Sequence, residues 1–277
     1  MRKIVSFVLT LTGFLIWSGW AVAQGNLIII PRRVVFEGPK RIEELNLANT
    51  GTDTAKFLIS VIQYRMNDDG TFENITVPDS GQNFADKNFR IFPHSVVLAP
   101  NEAQTVKVEL INISELKPGE YRSHLYFRSV PNDVPLGTKD TTQATTGISV
   151  HLVPVFGIAI PVIIRVGTST SAVTITSSSV DINSSGVHQL KLAFSRLGNM
   201  SVYGDITVNY ISSAGKSTRI GLAKGFAIYT PNPGRHFILN LENDQNVNYH
   251  EGKLHIVYTT PSDAKIVNIT ETDLDLH

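Results

Sequence analysis

The sequence predicts an all-β fold made of two immunoglobulin-like sandwich domains of about seven strands each, and three observations predict it. Apolar residues recur at period 2 in short runs, separated by Asn, Asp, Gly and Pro clusters at roughly the 8–12-residue spacing of a sandwich. The longest apolar run, from Gly147 to Gly167, holds Pro154, Gly157 and Pro161 in its interior, which a helix does not tolerate. The chain has 277 residues and no cysteine, so each half must be held by a packed core rather than by disulfides.

Residues 1–23 read as a secretory signal peptide. Arg2 and Lys3 form a basic head, Ile4 to Trp20 an apolar body, and Ala21-Val22-Ala23 a small-residue cleavage site. Losing Arg2 and Lys3 tips a chain with 24 Lys+Arg and 24 Asp+Glu slightly acidic, so no basic excess points to nucleic acid. Export would place the chain where disulfides can form, yet thiol chemistry and thiolate metal sites are excluded.

The first domain, 24–167, takes its strands in order. Ile28 to Phe36 is interrupted by Pro31, and Ile42 to Leu47 ends at Asn49-Thr50-Gly51. Lys56 to Tyr64 closes on Asn67-Asp68-Asp69-Gly70; Phe89 to Pro93 follows, with Ser95 to Leu98 after it. Thr105 to Ile113 alternates Val106, Val108 and Leu110 with polar residues, and Lys117-Pro118-Gly119 turns into Tyr121 to Val130. The stretch from Pro131 to Thr146 is a polar loop, longer than the ~2–5 residues of a hairpin connection.

Gly147 to Gly167 is the seventh strand. Its even positions from Ile148 to Val166 are all apolar, whereas the odd positions carry Ser149, His151, Val153, Val155, Gly157, Ala159, Pro161, Ile163 and Arg165. Ser149, His151, Arg165 and two prolines also exclude a membrane span. Prolines belong on edge strands or at bulges, so the strand should lie at an edge and contain a break. A long apolar edge left open is there to pair with another chain.

The second domain, 168–277, follows Gly167 to Ser171. Its strands are Val173–Ile182, Gln189–Leu197, Tyr203–Ile211, Arg219–Tyr229, His236–Leu241, Lys253–Thr259 and Lys265–Leu274. Turns fall at Ser184-Ser185-Gly186, Ser213-Ala214-Gly215, Pro231-Asn232-Pro233-Gly234 and Pro261-Ser262-Asp263.

No catalytic or cofactor motif is present. The eight histidines form no H-E-x-x-H pair, Asp68-Asp69-Gly70 lacks the rest of a calcium loop, and there is neither a G-x-S-x-G elbow nor a phosphate-binding G-x-x-x-x-G-K. The expectation is no enzyme, no cofactor and no metal.

Three segments carry a resemblance to a known family. Arg33-Val34-Val35-Phe36-Glu37-Gly38, LKPGEYRSHLYFR from Leu116 to Arg128, and the end of the seventh strand at Ile163-Ile164-Arg165 resemble the periplasmic pilus chaperones of the chaperone–usher type. The resemblance implies a periplasmic, non-enzymatic protein that completes a strand-deficient pilus or fimbrial subunit with its own seventh strand, then delivers it to an outer-membrane usher. Ile148, Val150 and Leu152 are the donor candidates, unless they cap the chain's own core. The resemblance also implies a cleft arginine for the subunit's terminal carboxylate. Arg33 stands at that position, with Arg32 as a rival of opposite side-chain direction. The lysine that should accompany it falls at Pro161, and no lysine lies between Gly147 and Gly167. Arg33 therefore anchors alone, or another cation such as Arg128 substitutes, or the anchoring differs. Arg165 resembles the family's strand-end arginine between the domains. The alternative is a structural or adhesive two-domain protein that self-associates through the seventh strand.

Overall fold

The computed structural model describes residues 27–130, 155–242, 247–261 and 265–277. The signal peptide at 1–23, the loop at 131–146 and the donor candidates Ile148, Val150 and Leu152 lie outside the described residues. Those described form eighteen β-strands and no helix.

The first sandwich faces a four-stranded sheet against a five-stranded one. The four-stranded sheet runs β1 (Leu27–Ile30), β3 (Ile42–Asn49), β9 (Ala103–Leu110), β7 (Phe89–Phe92). The five-stranded sheet runs β2 (Val34–Phe36), β11 (Gly157–Val166), β10 (Gly119–Val130), β4 (Ala55–Ile62), β8 (Ser95–Leu98). A hairpin of β5 (Tyr64–Met66) and β6 (Phe72–Asn74) stands apart from both.

Two stretches that contain a proline, 28–36 and 89–98, each divide between the sheets. At Pro31 the chain leaves β3, which pairs with β1, and joins β11 as β2; at Pro93 it leaves β9, which pairs with β7, and joins β4 as β8. A proline has no N–H to give a ladder, so each change of sheet falls where pairing is interrupted anyway.

The core lies between the sheets. Val34 and Phe36 of β2, Leu45 and Leu47 of β3, Val106 and Val108 of β9, Leu125 and Phe127 of β10 are all buried in it. The even face of β11 points there too: Ile160, Val162 and Ile164 are buried, with Ile158 and Val166 packed against them. Each fully buried side chain of this kind contributes roughly 1.5–3 kcal/mol. From 158 onward the apolar face of the seventh strand therefore serves its own domain.

The anticipated break does not occur between 157 and 166. β10 and β11 stay in one antiparallel register from Arg128 opposite Gly157 to Gly119 opposite Val166, and Pro161 sits within it opposite His124. Pro154, whose opposite parity led to the expectation, lies outside the described residues.

Among its described residues the second sandwich has seven strands. β12 (Ala172–Ile182), β13 (His188–Leu197) and β16 (Gly234–Asn240) form one sheet; β15 (Ser217–Ile228), β14 (Val202–Ile211), β17 (Lys253–Thr259) and β18 (Asn268–Asp275) form the other. Its core gathers Leu190, Leu192 and Phe194 of β13, Ile206 and Val208 of β14, and Leu254, Ile256 and Tyr258 of β17. Among the described residues no sheet takes strands from both sandwiches.

Candidate functional site

The site is built on β11 and on the sheet face that meets the second sandwich. β10 flanks β11 along its whole length. On the other side β2 pairs in parallel with Val162, Ile163 and Ile164 only, so residues 157–161 have no strand beside them among the described residues. Their backbone groups on that side form a short template for a further strand. The chain entering this edge is fastened to the end of β10. Ser129 donates its N–H to the Phe156 carbonyl at 2.9 Å, and Phe156 donates its own to Ser129 Oγ at 3.0 Å. Val155 and Phe156 are about half exposed, at 47% and 49%.

Gly157 permits a close crossing at the same place. A Cβ there would stand 2.3 Å from atoms of Tyr126, so the tyrosine lies across the backbone where the open edge begins. Tyr126 pairs with Ala159, the next position on this face.

Cross-strand partners share a face, and the ladders place side chains in rows. His124 and Pro161 form one row; Arg122, Ile163 and Val35 form the next. This face meets the second sandwich in a small apolar cluster of Met66, Ile163, Ala227 and Tyr229, with Val35 and Tyr203 packed against it.

Two guanidiniums are enclosed there. Arg33 stacks over the Tyr203 ring at 4.1 Å and lies 5.7 Å from the Tyr229 centroid, while Arg122 stacks over Tyr229 at 4.2 Å. Nε and Nη1 of Arg33 and all three guanidinium nitrogens of Arg122 are buried without a hydrogen-bond partner. Arg122 is 2% exposed. Burial pushes its pKa down from the usual arginine range, opposed by Tyr229 and Glu120 and helped by the like charges of Arg33 and Arg196. His124, beside it, is held neutral: burial first and Arg122 second lower its pKa to about 3.

A buried carboxylate nearby, Glu120, is committed elsewhere. Glu120 accepts from Ser201 N–H at 3.0 Å, from Ser201 Oγ, and from Arg165 Nε at 3.4 Å. Arg165 also donates to the Ser201 carbonyl at 2.7 Å and lies 3.6 Å from Glu37, so it bridges the two sandwiches. Arg196 donates to three carbonyls, those of Asn232, Gly198 and Met200. Arg33, Arg122, Arg165 and Arg196 thus gather where the sandwiches meet.

The β5–β6 hairpin closes the contact from one side. Asn232 donates to the Met66 carbonyl at 2.7 Å, His236 N–H to the Asp68 carbonyl at 2.6 Å, and the Phe72 ring lies 6.2 Å from that of Tyr229. Gly70, at φ +85°, lets the turn lie against Arg235; a Cβ would stand 2.1 Å from that guanidinium.

The candidates read from the sequence separate. Arg33 is at the contact, Arg32 is exposed, and Arg165 bridges to Ser201. Arg128, considered as a substitute cation, is exposed on β10 opposite Gly157, three rows of the same face away from Arg122. Arg122 itself went unnoticed, although it stands in the segment that carries the resemblance. Its face of β10 reads Glu120, Arg122, His124, Tyr126 and Arg128, an ordinary solvent-facing pattern in the sequence.

No family model matches the chain, and no curated relative matches it. Solved structures do. The chain is similar to the YadV chaperone at 14% identity and a TM-score of 0.44, over 90% of this chain and 99% of that one. It is similar to the Escherichia coli chaperone DraB at 13% identity and a TM-score of 0.40, over 91% and 97% of the two chains. A third is a chain from the Salmonella enterica SafA pilin in complex with the SafB chaperone, at 13% identity and a TM-score of 0.41, over 92% and 99%.

Proposed function

We propose that this chain is a periplasmic chaperone of the chaperone–usher type. It binds a pilus or fimbrial subunit that lacks a strand, completes that subunit with its seventh strand, and delivers it to an outer-membrane usher. Residues 1–23 direct export and are removed, and residues 24–167 and 168–277 are its two domains.

The observation that carries this reading is the half-open edge of β11. A guest strand laid beside 157–161 gains main-chain hydrogen bonds from that edge, and alternate side chains of the donor segment set its register. Ile148, Val150 and Leu152 precede the open stretch in the same parity as Ile158 and Ile160. Three such side chains, seated in a foreign core, supply roughly 5–9 kcal/mol of gross burial. That is comparable to the stability of a whole domain. A guest strand in line with β2 must also end just before β2, beside Arg33. A guanidinium fork suits the carboxylate of a chain end. Nothing in this role requires bond chemistry. The Salmonella structure pairs a pilin with its chaperone; for this chain the subunit is part of the proposal.

The test is co-purification from cells exporting the full chain with a tagged, strand-deficient fimbrial subunit. Ile148→Asp combined with Leu152→Asp is expected to abolish recovery of the subunit while leaving circular dichroism and the melting temperature unchanged. Undiminished recovery would reject the donor assignment.

A further inference from the structure

The pairing of the seventh strand with β10 runs in one register down to Arg128 opposite Gly157, so the next row sets Ser129 opposite Phe156. Residues opposed in a hydrogen-bonded antiparallel row exchange both N–H and carbonyl bonds. Here only one of the two is regular: Ser129 donates its N–H to the Phe156 carbonyl at 2.9 Å. The return bond is diverted. Phe156 donates its N–H to Ser129 Oγ at 3.0 Å rather than to the Ser129 carbonyl, and the hydroxyl in turn lies 3.1 Å from the Phe156 carbonyl. A short hydroxyl side chain thus competes with the ladder in its last row.

Three further observations fall at the same place. β10 does not end there: it continues to Val130, paired on its other side with Lys56 of β4. The same register carried on to the next hydrogen-bonding row would bring Pro131 opposite Pro154, and neither has an N–H to give. On the core side Ile160 is buried and Ile158 packs against the core, whereas Phe156, next in the same parity, is 49% exposed. Backbone pairing and core coverage therefore stop together at Phe156.

We infer that Ser129 is a positioning residue whose hydroxyl ends the pairing of the seventh strand with β10 at Phe156, so that the stretch before it offers both of its edges to another chain. This rests on the strand-completing role proposed above. A strand missing from the interior of a sheet has a neighbour on each side. A stretch zipped onto β10 could meet only one of them, whereas a stretch released by β10 can meet both. The two prolines hold the stop by leaving the following row without donors.

The test restores what the stop removes. In one variant of the mature chain Pro131→Ala and Pro154→Ala supply the missing N–H groups while Ser129 stays; a second adds Ser129→Ala, and a third adds Ser129→Thr instead. Amide exchange is read at positions 131 and 154, and recovery of a tagged, strand-deficient fimbrial subunit is measured beside the wild type. With a hydroxyl present, from serine or threonine, both new amides are expected to exchange fast. With Ser129→Ala the row closes, both amides slow by about tenfold or more, and recovery of the subunit falls by about fivefold or more. Equal exchange at 131 and 154 in the first and second variants overturns the inference, because the hydroxyl then does not set the stop. Slowed exchange with undiminished recovery overturns it as well, because the stop then does not serve pairing. Should the second variant not fold, Ser129→Ala alone decides. With the prolines in place the Phe156 amide loses its acceptor and exchanges about tenfold faster, and an unchanged rate overturns the inference. A wild-type chain that recovers no subunit removes the strand-completing role and the inference with it, and exchange at 131 and 154 tells that failure from a misplaced stop.

Discussion

Replacing Arg122 by methionine is predicted to stabilise the free protein. The guanidinium is 2% exposed with every nitrogen unpartnered, and taking an ion out of water costs several kcal/mol even after relaxation. Stacking on Tyr229 at 4.2 Å returns only about 1–2 kcal/mol. Arg33 and Arg196 add like-charge repulsion, and Glu120, which opposes it, keeps Ser201 and Arg165 after the substitution. Methionine retains the apolar stem that lies beside Ile163. The expected gain is about 1–3 kcal/mol, the range seen when buried ionic groups give way to apolar ones. For a domain of this size that raises the melting temperature by about 3–10 °C. Scanning calorimetry and urea midpoints on the mature chain measure it. A loss of more than about 1 kcal/mol would refute the reasoning, because the charge would then be compensated where the structure leaves it bare.

Further predictions follow from the same contact. Glu120→Ala leaves Arg165 and the Ser201 N–H without their shared acceptor, and is expected to cost about 3–5 kcal/mol by urea unfolding. Gly70→Ala forces a Cβ into the Arg235 guanidinium at φ +85°, so amide exchange at His236, which donates to Asp68, should accelerate at least tenfold while amides of β13 keep their protection. His124 has a folded pKa lowered from 6.5 to about 3, chiefly by burial. The unfolded chain therefore binds the extra proton first, and stability falls as pH drops through 6.5 toward 3. At pH 4.5 the loss relative to pH 7.5 is about 2–3 kcal/mol, and His124→Gln should remove that part of the slope. Asp79, lowered by its hydrogen bond from Arg65, works in the same direction at lower pH. The advantage of wild type over Asp79→Asn is present at neutral pH and vanishes as pH falls below the ordinary carboxylate value of 3.8.

Much of this architecture was legible in the chain because sheet faces write themselves as alternation. Val106, Val108 and Leu110, or Leu254, Ile256 and Tyr258, declare one buried side regardless of what covers it. Prolines 31 and 93 were visible as interruptions, but an interruption does not say which sheet the chain joins next. That depends on partners far along the sequence, β11 for one and β4 for the other. The β5–β6 hairpin was missed because Tyr64-Arg65-Met66 and Phe72-Glu73-Asn74 are too short to show a period, and the hairpin is held by Asn232 and His236 of the other sandwich. Arg122 failed for a related reason. In sequence it reads as a polar residue on an exposed strand face, and only the second sandwich, through Tyr229, turns that face into an interior. Arg33 was accessible only through the segment that follows it, since nothing in Pro31-Arg32-Arg33 distinguishes the enclosed arginine from the exposed one.

Hydrogen exchange at the backbone of β11 tests the central claim most directly. Amides between 157 and 161 that point to the unflanked side of the strand should exchange quickly in the free mature chain and become protected, together with those of 148–152, when a strand-deficient fimbrial subunit is bound. Amides that are already slow without a subunit, or that exchange at the same rate with and without it, would contradict the account.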